Sequence, residues 1–287
     1  MHPGITHLLI AFRDKKDVLA LLTAVGMIVR QRRTLETVYG AYCNLALRPS
    51  PVAPCDEPDA LMGILRHRSE FARPATLSRE RIVELYGDEF QVSALPQDFA
   101  VATYESVRRE GDRLVIGEYG EGSRLACVTP HSCTINTYYA TVPGVRHIHS
   151  IFRYGSGEHY LVTTGDGAKV LDLWSAGPEG ELRFVKRLRR RLAGFTAVAN
   201  VGGEYYFGTD FSGRPNFIET HRGARYCFPA QAYRLFVSAF FVFHDRYIVS
   251  VNNALRVAGG ARTLSVFDTV RKQFVFCDYL ERQRPLE

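Results

Sequence analysis

The sequence predicts an all-β fold: a β-propeller of four-stranded antiparallel blades. Three observations predict it. A hairpin-like unit recurs at a spacing in the forties. Two more strand-like pieces follow most copies of that unit. The composition is rich in residues that favour strands, with 18 Phe and 15 Tyr in 287 residues.

The repeat carries the most weight, because self-similarity at a fixed period fixes the architecture before any single residue does. Four segments read alike: FAVATYESVRREGDRLVIGEYG (99–120), VRHIHSIFRYGSGEHYLVTTGDG (145–167), GFTAVANVGGEYYFGTDFSG (194–213) and LFVSAFFVFHDRYIVSVNN (235–253). Each is an apolar strand, a tight turn and a second apolar strand. The turns fall at Glu110-Gly111-Asp112, Gly155-Ser156-Gly157, Gly202-Gly203 and His244-Asp245. Gly and Asp tolerate the positive φ that tight hairpins require. The second strands end in polar residues, Glu118, Asp166, Asp210 and Asn252, at steps of 48, 44 and 42 residues. Further strand-like pieces lie at 124–128 and 134–142, at 170–174 and 182–188, and at 263–268 and 273–278. Four strands per period give the propeller pattern, in which blades bury their apolar faces against one another.

The N-terminal third is read by spacing. Residues 5–39 resemble another blade, with HLLIAF and VLALLTAV around a turn at Asp14-Lys15-Lys16. That turn lies 96 residues before Gly111, room for one more period between them. Residues 47–98 are therefore expected to be a degenerate blade or a partly helical insertion. They are Pro-rich at first and helix-like at 59–68. The count is six blades in a single 1–287 domain, with five or seven as alternatives.

Composition narrows the function. There is no run of 18 apolar residues, so no transmembrane helix is expected. No leader pattern is read at the start, and the expected location is cytoplasmic. The six cysteines are scattered without a CxxC and read as free thiols. Much of the net charge of +6 comes from Arg183–Arg191, RFVKRLRRR. That run is either a solvated edge strand or a phosphate or nucleic-acid patch, and in a scaffold it would be a contact surface for a protein partner. No nucleic-acid motif accompanies it, so nucleic acid is not the expected partner.

The stretches VIGEYG, VRHIHSIFRY and YLVTTGDG resemble propellers of the sialidase-like, BNR (Asp-box) type, best over residues 99–220. The resemblance implies a glycan context. The Asp-box positions themselves have drifted: His131-Ser132-Cys133-Thr134-Ile135-Asn136-Thr137-Tyr138 lacks the Asp and Gly. The arginine clamp and Tyr-Glu nucleophile of true sialidases are not found, so those roles are not carried over.

The candidate site follows from strand alternation. Residues at i and i+2 share a face, so His147 and His149 point the same way on an inner strand. Three roles are open to them: ligands, with a carboxylate, for a divalent metal such as Zn, Mn or Fe; acid–base groups; or hydrogen-bonding groups in a polar channel. Glu118 is the favoured catalytic carboxylate, because Glu is a poor turn former. Asp166, Asp210, Asn252, Tyr119 and Arg146 are the candidate substrate contacts. The leading expectation is a polar channel-mouth site that binds or acts on a carbohydrate or similar small polar metabolite. A non-catalytic scaffold binding a protein or glycan through its loops is the alternative.

Overall fold

The computed structural model describes residues 43–281, apart from 45, 72–75, 101, 121, 157, 166, 178, 192–193, 212–213 and 254–261. Four antiparallel four-stranded blades follow one another along the chain. The first comprises β3 (Val107–Glu110), β4 (Arg113–Gly117), β5 (Leu125–Val128) and β6 (Cys133–Asn136). The second comprises β7 (His147–Tyr154), β8 (His159–Gly165), β9 (Lys169–Ala176) and β10 (Leu182–Arg191). The third comprises β11 (Gly194–Val201), β12 (Glu204–Asp210), β13 (Phe217–Thr220) and β14 (Arg225–Cys227). The fourth comprises β15 (Phe236–Phe243), β16 (Tyr247–Asn253), β17 (Arg262–Asp268) and β18 (Gln273–Glu281).

The hairpin turns are those the sequence predicts, and their backbone shows why. Gly111, Gly155, Gly202 and Gly203 have φ of 60°, 68°, 58° and 81°, and His244 and Asp245 take 53° and 48°. Left-handed turn residues match the right-handed twist of the flanking strands.

The blades stack face to face, and each junction is an apolar layer. Val115, Leu125 and Cys127 of the first blade meet Ile148, Ile151 and Val162 of the second. Leu161, Leu171 and Leu173 meet Phe195, Val198 and Phe207 of the third. Ala197, Ala199 and Ile218 meet Val237, Phe240 and Ile248 of the fourth. Two of these layers need a glycine. A Cβ on Gly117 would strike the Ile148 side chain, and one on Gly208 would strike Val237.

The structure does not support six blades. Four stand among the described residues, and the blade expected at 5–39 lies outside them. Among the described residues of 47–98 there is no four-stranded sheet. They form α1 (Pro58–Arg66), α2 (Arg79–Tyr86), short 3-10 turns and the strand β1 (Thr76–Leu77), which pairs with β2 (Ala102–Thr103) just beyond. This segment covers the two blade faces at the ends of the stack. Ile64 and Phe71 pack on Tyr247, Val249 and Val266 of the fourth blade. Leu77, Ile82 and Val92 pack on Leu114, Ile116 and Val128 of the first. An apolar face needs cover, and a helix supplies it as well as a strand does. The spacing of 96 residues counted chain length and could not tell these solutions apart.

All six cysteines are free. Among the described residues no helix is long and apolar enough to cross a membrane.

Candidate functional site

The inner strands of three blades carry a β-bulge at the same place. Ile148 pairs with Thr164 and Ser150 with Thr163, which leaves His149 as the extra residue. Thr196 is the extra residue in β11, between Phe195 and Ala197, and Ser238 in β15, between Val237 and Ala239. A bulge frees one side chain from the ladder and re-aims it. In two of the three the freed group is a hydroxyl that donates to a backbone carbonyl: Thr196 Oγ1 to Val237 O of the next blade, with Gly208 O at 3.5 Å, and Ser238 Oγ to Val251 O of the neighbouring strand at 3.1 Å. The first blade makes the same bond from Ser106 Oγ to Gly117 O at 3.0 Å. His149 is the exception. It replaces a small hydroxyl with an imidazole.

Three features hold that imidazole. Gly165 lies beneath it, and a Cβ there would overlap the ring. Thr103 Oγ1 of β2 donates to the His149 carbonyl at 2.9 Å and pins the bulge to the ribbon that precedes the first blade. Asp210, from the following blade, places Oδ2 3.7 Å from His149 Nδ1, with both side chains at least nine-tenths buried. The two make an ion pair whenever the ring is protonated.

His147 and Tyr119 complete the cluster. The chain after β4 forms a bridge between Tyr119 and His147, and Ile148 N donates to Glu118 O at 3.2 Å. Tyr119 therefore stacks on His147, with centroids 4.2 Å apart and planes 15° apart. The His147 and His149 rings lie 6.3 Å apart and nearly parallel, so the two histidines do share a locale. The cluster joins three blades: Tyr119 from the first, His147 and His149 from the second, Asp210 from the third.

Glu118 does not join it. Its buried carboxylate accepts from Ala100 N at 2.8 Å, from Arg124 N at 3.0 Å, and from Arg124 Nε and Nη2 at 2.8 Å each. The pairing raises the Arg124 pKa above its already high usual value. Thr164 and Thr209 make the corresponding clasp, accepting Val170 N at 3.1 Å and Phe217 N at 2.9 Å. The end-of-strand equivalence expected from the sequence is therefore shifted. Glu118 corresponds to Thr164, Thr209 and Asn252. Asp210 corresponds to Tyr119, Gly165 and Asn253. Blades of unequal length break the even count that aligned Glu118 with Asp210.

The other candidates fall as follows. Asn252 is buried inside the fourth blade, where Ser250 Oγ donates to its Oδ1 at 3.0 Å. Arg146 is exposed, and its carbonyl accepts from Ser123 Oγ at 2.6 Å. Asp166 lies outside the described residues. Among the described residues no group of three His, Cys, Asp or Glu side chains is arranged to hold a metal ion. Sequence reasoning missed Thr103 and Gly165. Gly165 could be read as a turn residue in TTGDG, but its contact with the His149 ring is tertiary.

No family model matches the chain, and no curated protein matches it. Among solved structures, it is similar to an α-L-arabinanase of Cellvibrio cellulosa, with 12% identity over 59% of this chain and 73% of that one, at a TM-score of 0.36. It is also similar to a chain in a S. cerevisiae complex of a dbp5 variant with nup159, gle1, ip6 and adp, with 7% identity over 65% of this chain and 51% of that one, at a TM-score of 0.31. Similarities this shallow carry no functional argument, so the reading rests on the residues.

Proposed function

We propose that the Tyr119–His147–His149–Asp210 cluster binds a small, hydroxyl-rich polar molecule of the carbohydrate type, with His149 as the proton-transfer group. One observation carries the reading. At the bulge where the third and fourth blades place a hydroxyl, the second blade places an imidazole backed by a carboxylate from another blade. Such a pair holds the ring in one orientation and stabilises its protonated form during transfer. Nδ1 faces Asp210, and in this reading Nε2 is the atom that meets the ligand. The stacked Tyr119 and His147 rings offer a flat surface for the C–H face of a sugar. The sialidase-like resemblance belongs to this proposal as a glycan context, without its arginine clamp.

A glycan-array screen followed by calorimetric titration tests the reading. Losing a hydrogen bond to a charged group costs about 1.5–3 kcal/mol, so His149→Gln and Asp210→Asn should each weaken binding roughly 10- to 100-fold with folding retained. Full affinity in both variants, or no binding of any glycan or polyol by the native protein, would overturn it.

A further inference from the structure

The four blades treat their outer edges differently. An exposed strand edge offers unpaired backbone N–H and C=O groups to any passing strand, and proteins usually shorten or cover such edges. The first and third blades end in short strands, β6 with four residues and β14 with three. The edge of the fourth blade meets the chain segment before α1. Val52 bridges Phe274 in parallel, and Ala53 N donates to Phe274 O at 2.8 Å. Arg271 and Arg246 tie that segment down through Asp56 and Glu57.

The second blade has an edge that is neither short nor covered among the described residues. Its edge strand β10 has ten residues, is longer than its partner β9, and among the described residues pairs with β9 alone, with bulges at Val185 and Leu188 that turn these two side chains out of the ladder. Six of the ten are basic: Arg183, Lys186, Arg187, Arg189, Arg190 and Arg191. Two of the described ones meet local acids. Arg187 bonds the buried Asp172 at 2.8 Å, and Arg183 meets the exposed Glu181 at 3.0 Å. Lys186 is exposed and makes no ion pair among the described residues. Two apolar side chains are also left in solvent, Val185 at 45% and Leu188 at 36% exposure. Positive charge along an edge repels a second copy of itself, but it attracts an acidic strand.

We infer that β10 is a docking edge for an acidic, extended segment of a partner protein, which adds to the second blade as a fifth strand. Main-chain bonds would supply affinity and Lys186, Arg183, Val185 and Leu188 the selectivity, as in other strand-addition complexes. This surface is separate from the histidine cluster and does not depend on its function.

The test uses the full chain and a labelled peptide of alternating Glu and Val, with an alternating Lys–Val peptide and a single-stranded DNA oligomer as comparators. Fluorescence anisotropy should show binding of the acidic peptide, weakened at least 10-fold by Arg183→Glu/Lys186→Glu and falling as salt rises. Hydrogen exchange should slow at β10 amides on binding and not at β6 or β14. Thermal melts confirm that the charge-reversed variant is folded, since both side chains are exposed. Tighter binding of the DNA than of the acidic peptide, equal binding of both peptides, or protection outside β10 would overturn the inference.

Discussion

Removing the Glu118 carboxylate separates a structural role from a catalytic one. The side chain is 4% exposed and receives four hydrogen bonds, two from the Arg124 side chain and two from backbone N–H groups. In Glu118→Ala the Arg124 guanidinium, itself 17% exposed, keeps the outer contact with Asp98 at 3.2 Å and its place over the Phe99 ring. Breaking a buried pair from one side costs roughly 3–5 kcal/mol, and each stranded N–H about 1–3 kcal/mol. These terms share the same groups and do not add, so about 4 kcal/mol is expected in total. Glu118→Gln keeps an acceptor and loses only the charge, with an expected cost of about 1.5 kcal/mol. Chemical denaturation followed by circular dichroism measures both. The glutamine variant should also keep the ligand affinity of the histidine cluster. The reasoning is refuted if Glu118→Ala stays within 1 kcal/mol of the native protein while ligand binding is lost.

Two further predictions follow from the same kind of reading. Gly165→Ala drives a methyl into the His149 ring, and overpacking of this sort costs about 1–3 kcal/mol. Adding His149→Ala should recover most of that loss, so a double-mutant cycle that shows simple additivity would count against the contact. Asp268 supplies the pH dependence. Burial raises its carboxyl pKa, but bonds from Arg246 and from the N–H groups of Arg271 and Val270 outweigh this and hold it below the usual range. A depressed folded-state value contributes stability above the unfolded pKa, near 4, and loses it as pH falls through the folded value. Asp268→Asn should therefore flatten the loss of stability between roughly pH 5 and pH 2 in urea titrations. An unchanged slope would show that the Arg246 pair does not set it.

The sequence alone determined the four blades from residue 107 onward, and not their number in the chain. A hairpin is local: its alternation runs over neighbouring residues, and its turn needs a positive φ that Gly111, Gly155, Gly202-Gly203 and His244-Asp245 supply on the spot. His147 and His149 were legible as a pair for the same reason. Tertiary structure decided the rest. The helical segment that replaces a second blade answers to the uncovered faces of the first and fourth blades, which lie far away along the chain. The polar residues that end the second strands do not share one ladder position: Asp210 lies one residue past Thr209, the equivalent of Glu118, and faces His149. Glu118 reads as a catalytic carboxylate until Arg124 and Ala100 are seen to occupy both of its oxygens. Periodicity fixes what a strand is. Only packing between blades fixes which side chains of different strands meet, because that depends on register and on the glycines that let neighbouring blades approach.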